Sequence, residues 1–69
     1  MTYAVLIEKG PTSFGATVPD LPGCVAVADT REEAERLIQE AIALHLKGMR
    51  EDGIPVPLPV TEVATVTIG

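Results

Sequence analysis

Few side chains in this 69-residue sequence are suited to chemistry. There is one cysteine, Cys24, and one histidine, His45. A cysteine nucleophile needs a base to take its proton, and His45 is the obvious candidate. At 100° per residue, however, His45 falls in the middle of an apolar helical face, and no spacing brings it to Cys24. The simpler reading is a small buried cysteine and a half-buried packing histidine. One Cys and one His are also too few ligands for a metal site, so neither metal nor cofactor is expected. Among the carboxylates, Glu8 ends the first predicted strand, Asp29 follows the third and Glu62 lies in the last. If the first and last strands are neighbours, Glu8 and Glu62 approach one another. Converging carboxylates could then hold two metal ions for phosphodiester hydrolysis. Against this enzymatic alternative stands the charge: ten acids and five bases leave a net charge of −5. A protein that grips phosphate backbones needs a basic footprint. No catalytic residue is assigned, and the expectation is a protein that is not an enzyme and binds no nucleic acid directly.

The segment Pro19-Asp20-Leu21-Pro22-Gly23-Cys24 is the most distinctive local feature. Each proline restricts its own φ and the conformation of the residue before it. Gly23 permits backbone angles that other residues avoid. Asp20 is suited to accepting backbone N–H bonds within a turn. A loop stiffened in this way loses little entropy on binding, which makes it a good recognition surface. The plainer reading is a crossing between two strands.

The elements that position these residues can be read from periodicity. Residues 2–9 (TYAVLIEK) are rich in β-formers, 10–13 (GPTS) are turn material, and 14–18 (FGATV) make a second strand with Phe14, Ala16 and Val18 on one face. Residues 24–28 (CVAVA) are a third strand. The period then changes. Thr30 followed by Glu33 matches a capping box, with Glu32, Glu33 and Glu35 near the positive end of the helix dipole. Ala34, Leu37, Ile38, Ala41, Ile42, Leu44 and Met49 share one helical face. The helix is expected from about Arg31 to about Asp52, stopping at Gly53. Residues 54–59 (IPVPLP) read as an extended connector, and the alternation of 60–68 (VTEVATVTI) predicts a last strand. The order is β-β-β-α-β: an α+β fold in which one long helix covers one face of a four-stranded mixed sheet, the last strand parallel to the first.

The length allows one domain, residues 1–69. Its apolar content is 46%, mostly Ala, Val, Leu and Ile with one Phe and one Tyr. Such a core buries little area per residue, and the sheet face opposite the helix has nothing predicted to cover it, so self-association into at least a homodimer is expected. No apolar run approaches a membrane span and nothing resembles a signal peptide, so a cytoplasmic protein without membrane contact is expected.

The run YAVLIEK, FGATVPDLPGCVAVADTREEAERLIQEAIALHL and GIPVPLP resembles the N-terminal domain of the HicB family, the antitoxins of HicA–HicB toxin–antitoxin pairs. The resemblance covers nearly the whole chain, and VPDLPGCVAVADTREEA is its most specific part. It implies a partial RNase H-like fold and a protein that binds and neutralises a small basic HicA-type ribonuclease toxin. Longer members carry a DNA-binding domain after the last strand; this sequence ends at Gly69, so no C-terminal DNA-binding domain is expected. The partner-binding surface is placed at the turn Asp20, Leu21, Pro22 and Gly23 together with the helix start at Asp29, Thr30, Glu32 and Glu33. A solitary oligomeric domain with an unrelated partner, or with a small ligand held between subunits, is the remaining alternative.

Overall fold

The computed structural model describes all 69 residues. Three short strands, β1 (Leu6–Lys9), β2 (Phe14–Thr17) and β3 (Val25–Ala28), precede a single helix, α1 (Arg31–Glu51). The sheet order is β1-β2-β3, with both pairs antiparallel. The register places Ile7, Ala16 and Ala26 in one row, and Lys9, Phe14 and Ala28 in the next. Side chains alternate across a strand, so this face carries Ile7, Phe14, Ala16, Ala26 and Ala28 toward α1. The other face carries Leu6, Glu8, Gly15, Thr17, Val25 and Val27.

The helix ends follow from their residues. Thr30 is extended (φ −126°, ψ 157°), and its hydroxyl accepts from the Glu33 N–H at 3.1 Å. Only this half of the expected capping box forms, because the Glu33 carboxylate turns outward to the Arg36 guanidinium. At the other end Gly53 adopts φ +70°. Its N–H reaches the Arg50 carbonyl and the Ile54 N–H reaches that of Met49. These two bonds are the pattern of a Schellman cap.

Seven residues are buried: Ala16, Val18, Leu21, Cys24, Ala28, Ala34 and Ile38. Four are alanine or cysteine, so α1 lies close to the sheet. Leu21 and Ile38 are the only large side chains fully enclosed. With 21 residues, α1 is about 31 Å long at 1.5 Å per residue, whereas each four-residue strand spans only about 13 Å. Much of the helix therefore overhangs the sheet. Leu44, expected on the buried face, is 69% exposed, and Met49 and His45 are half-buried. Leu44 lies about 120° around the helix from Ile38, off the face that packs on the sheet, whereas Leu46, farther along the helix, still packs against the core.

The expected four-stranded sheet is not what the single chain forms. Residues 54–69 are irregular, and no backbone–backbone hydrogen bond involves a residue beyond Ile54. Val63 and Thr65 nonetheless line a cavity together with Val5, Leu6, Ile7 and Lys9. The tail thus runs beside the open edge of β1 without closing a ladder. No helix is long and apolar enough to cross a membrane.

This core makes a sharp distinction between positions on one helix. Ile38→Ala should destabilise the fold by about 2–5 kcal/mol, as should Leu21→Ala, whereas Leu44→Ala should fall within about 0.5 kcal/mol of the parent. Urea unfolding followed by circular dichroism measures all three. Equal losses at Leu44 and Ile38 would show that the overhanging half of α1 is covered.

Candidate partner-binding surface

The turn between β2 and β3 is stapled by its own backbone. The Val18 N–H donates to the Cys24 carbonyl (3.2 Å), the Leu21 N–H to Val18 (3.1 Å) and the Cys24 N–H to Leu21 (3.0 Å). Gly23 takes φ +85°, a value costly for any residue with a Cβ. The closed loop drives Leu21 inward to 0% exposure and leaves Pro22 and Gly23 on the surface. Leu21, expected among the contact residues, is therefore a core anchor that sets the shape of the turn from below.

Asp20 faces the other way and is already engaged. One carboxylate oxygen accepts the N–H groups of Val60 and Thr61, both at 3.0 Å, and the other accepts the Thr61 hydroxyl at 2.7 Å. The Thr61 N–H and then its hydroxyl hold the Asp20 carboxyl below its ordinary pKa, with the Val60 N–H adding to them against a small opposing effect of burial. The Tyr3 hydroxyl donates to the Pro57 carbonyl nearby in sequence. The beginning of the tail is thus tied to the body by two side chains, Asp20 from the turn and Tyr3 ahead of β1. Residues beyond Thr61 are exposed.

The predicted surface does not form one patch. The turn enters β3 and the helix start leaves it, so the two groups sit at opposite ends of a strand about 13 Å long. Pro22 and Gly23 share their end with the tied tail. Asp29, Thr30 and Glu32 share theirs with the Gly10–Ser13 hairpin loop, because β2 begins opposite Ala28. At the helix end all three are exposed, and Glu33 is half-buried. Four of the helical acids are matched by bases on the same helix: Glu35 by Arg31 (3.1 Å), Glu33 and Glu40 by Arg36, and Glu51 by Lys47 (4.0 Å). Asp29 and Glu32 at the N-terminal end and Asp52 at the C-terminal end have no such partner, so two unpaired carboxylates adjoin each other at the N-terminus of α1.

The residues weighed for catalysis form no cluster of three or more. Cys24 is buried at 4% exposure, and desolvation raises its thiol pKa with no neighbouring charge opposing it. That is the reverse of what a nucleophile requires. Glu8 lies on the open face of β1, and β2 separates it from β3 and Asp29. Glu62 is exposed in the tail. No three Asp, Glu, His or Cys side chains are grouped to hold a metal ion.

Comparison with known proteins supplies the family. A family model described as the HicB-like antitoxin of bacterial toxin–antitoxin systems matches residues 3–68, and the chain belongs to that family. It is 42% identical over 57 residues to an uncharacterised 14.9 kDa protein of Haemophilus phage HP1, covering 83% of this chain and 43% of that protein. It is 34% identical over 62 residues to antitoxin HicB 2 of Photorhabdus laumondii, covering 90% and 45%. A UPF0150 protein of Thermoplasma acidophilum is 33% identical over 67 residues, covering 96% and 97%. The chain thus spans less than half the length of the phage and Photorhabdus relatives and nearly all of the Thermoplasma one. Among solved structures, a chain of a HicA3 and HicB3 toxin–antitoxin complex superposes with a TM-score of 0.73 at 28% identity, covering 87% of this chain and 70% of that one.

The Asp20 clamp has a defined pH signature. A depressed carboxyl pKa means that its contribution is complete above the ordinary carboxylate value of about 3.9 and is lost as pH falls through the lower folded value. From neutral pH down to about 4 the tail should stay tied, and only below about pH 3.9 should it detach at Val60 and Thr61. Asp20→Ala should reproduce the detached state at neutral pH, with faster exchange of the Thr61 amide and an unchanged helical signal. An unaltered Thr61 exchange rate in Asp20→Ala would remove the clamp from the description.

Proposed function

We propose that this chain is the toxin-binding module of an antitoxin and acts without catalysis, by occupying a small basic HicA-type ribonuclease. The observation that carries the reading is the superposition on a chain of the HicA3 and HicB3 complex, within a family whose description is that of an antitoxin. The physical properties fit the role. The net charge is −5, and two adjoining carboxylates without a salt-bridge partner, Asp29 and Glu32, lie next to the hairpin loop. A toxin that approaches RNA must be cationic, so opposite fields would accelerate the encounter. The same charge disfavours direct contact with nucleic acid by these residues. Such a toxin acts in the cytoplasm, and the antitoxin module is placed there with it.

Two surfaces are available for the contact, one at each end of β3. The first is Pro22 and Gly23, rigid because Leu21 anchors them; Asp20 lies beside them but spends its carboxylate on the tail. The second is Asp29, Thr30, Glu32 and Glu33. The second is the better steering site, since it holds the free carboxylates. We also assign residues 60–68 to a fourth strand, closing on the β1 edge when the toxin or another partner orders the tail. Their alternation and their position beside β1 support that assignment, which would complete the RNase H-like arrangement.

The test uses a HicA-type toxin from the same genome. The purified chain should bind it and stop RNA cleavage. Glu32→Lys leaves every helical ion pair intact, unlike reversal at Glu33, which would break its pair with Arg36 and leave Arg36 with Glu40 alone. It should slow association by about three- to tenfold at low salt and have little effect on dissociation. The difference should shrink at physiological ionic strength, where screening acts over about 8 Å. Surface-based kinetics at two salt concentrations measure this. Unchanged association for Glu32→Lys would move the interface to the turn, and absence of binding by the parent chain would end the antitoxin reading.

A further inference from the structure

We infer that the outer edge of β3 receives an extended segment of the toxin as an added strand, which joins the contact surfaces at the two ends of β3 into one interface. The inference rests on the antitoxin reading above and assigns its mode of contact. The first argument is hydrogen bonding. In an antiparallel pair, alternate residues turn their backbone groups toward the partner strand and the others away from it. Val18 and Cys24 stand opposite one another in the register that pairs Thr17 with Val25, and the Val18 N–H donates to the Cys24 carbonyl. Ala26 and Ala28 therefore bond with β2, and Val25 and Val27 turn their N–H and C=O groups outward. The hairpin gives the same parity independently. The Gly10 N–H donates to the Ser13 carbonyl, so Glu8 and Leu6 bond with Gly15 and Thr17, which turns those two away from Val27 and Val25. No segment of the chain pairs with this outer edge, whereas the tail runs beside the open edge of β1. Edge strands are ordinarily blunted by a charge, a proline or a bulge. Val25-Ala26-Val27-Ala28 carries none of these.

The second argument identifies the occupant. Val25 and Val27 are 59% and 66% exposed on the open face, and side chains directly opposite them on an added strand would lie beside them on that face. Apolar residues fit there. The helix supplies the other flank. Arg31, Glu35 and Gln39 line a cavity with Val5 and Ile7 on the β1 side. At 100° per residue, Leu37 and Leu44 lie on the opposite flank of α1, the β3 side, where Leu44 is exposed. The edge is thus bounded by apolar side chains above and below. Charge marks one end of it. Asp29 follows β3 directly and has no salt-bridge partner, and Glu33 and Glu40 share Arg36, two acids to one base. A lysine or arginine two positions beyond the residue opposite Val27 would meet Asp29. The segment that fits is extended, apolar at two alternate positions and basic at the end beside α1. A cationic protein offers such a strand, whereas a second copy brings its own unpaired acids and a like net charge of −5. Strand addition draws affinity from main-chain bonds and specificity from alternate side chains.

Amide hydrogen exchange of the chain, alone and in complex with the HicA-type toxin from the same genome, tests the inference. In the free chain the Val25 and Val27 amides should exchange rapidly, since neither is bonded. The toxin should slow both by at least about tenfold, the scale of one net hydrogen bond. Val27→Pro removes the outward donor at a position where an edge strand tolerates proline. It should weaken toxin binding by about tenfold or more with the helical signal unchanged. If that variant disturbs the strand, the exchange of the parent chain decides alone. Toxin binding that leaves Val25 and Val27 exchanging rapidly, or a folded Val27→Pro variant that binds like the parent, would overturn the edge assignment and leave the antitoxin reading standing. Slowed exchange at both valines that grows with chain concentration in the absence of toxin would give the edge to a second copy and overturn the proposal. A parent chain that binds no toxin would end the antitoxin reading and this inference with it.

Discussion

The close approach of α1 to a sheet of alanines is the constraint on which this small fold depends. With Ala16 and Ala28 beneath Ala34 and Ile38, little space separates the layers, and only two large side chains are fully enclosed. One of them, Leu21, comes from a turn rather than from a regular element. The turn is therefore part of the core. Its closure by backbone bonds between Val18, Leu21 and Cys24 seats Leu21 between the layers, and the same closure points the adjacent Asp20 toward the tail. One local geometry thus serves two ends of the molecule: packing on one side and tethering of residues 60 and 61 on the other.

Local rules recover much of this from the amino-acid order. Thr30 and Gly53 mark the ends of α1 to within a residue because capping is a property of the flanking residues alone. The three strands follow from alternation and from turn residues. What periodicity cannot supply is the length of one element relative to its neighbour. Nor does it mark the edge of the buried face: Leu44 sits about 120° around the helix from Ile38 and faces solvent, while Leu46 packs against the core. Leu21 looks like a surface residue between two prolines, and it is buried because the turn closes on itself. The contact of Asp20 with Thr61 joins positions 41 apart, which no local signal announces. The fourth strand shows the same limit from the other side: its pattern is clear in 60–68, but pattern alone provides no hydrogen-bonding partner. The proposed contact residues are named by local signals, but their arrangement is not, since the turn and the helix start flank β3 at opposite ends and Leu21 is core.

Charge is partitioned along the same division as burial. Three bases on α1 pair with four of its acids, and two of the unmatched carboxylates, Asp29 and Glu32, sit at its N-terminus, where the helix dipole favours them. This placement serves the helix and a cationic partner alike. The sheet's outer face is nearly free of charge and rich in valine. An acidic helical side and an apolar sheet side suit partners of different chemistry.

Such an arrangement makes the stability of the fold depend on its company. A core of seven buried residues in a chain of this length is near the lower limit of what supports an independent domain. Anything that binds the folded form and not the unfolded chain adds to its stability by mass action, about 1.4 kcal/mol for each tenfold excess of ligand over its dissociation constant. A partner on the open face would also hold Leu6, Val25 and Val27 against an apolar surface rather than water. It would bring the β-prone tail out of solvent, where an unpaired strand is a liability for indiscriminate pairing. The tether at Asp20 fits this logic. By fixing Val60 and Thr61 at the turn end of the sheet, it keeps the rest of the tail alongside β1, so ordering the tail requires only closure over a short gap instead of a search from an unfolded end. Closure entropy is lowest for short loops. On the proposed assignment of 60–68 to a fourth strand, the tether lowers the cost of forming it.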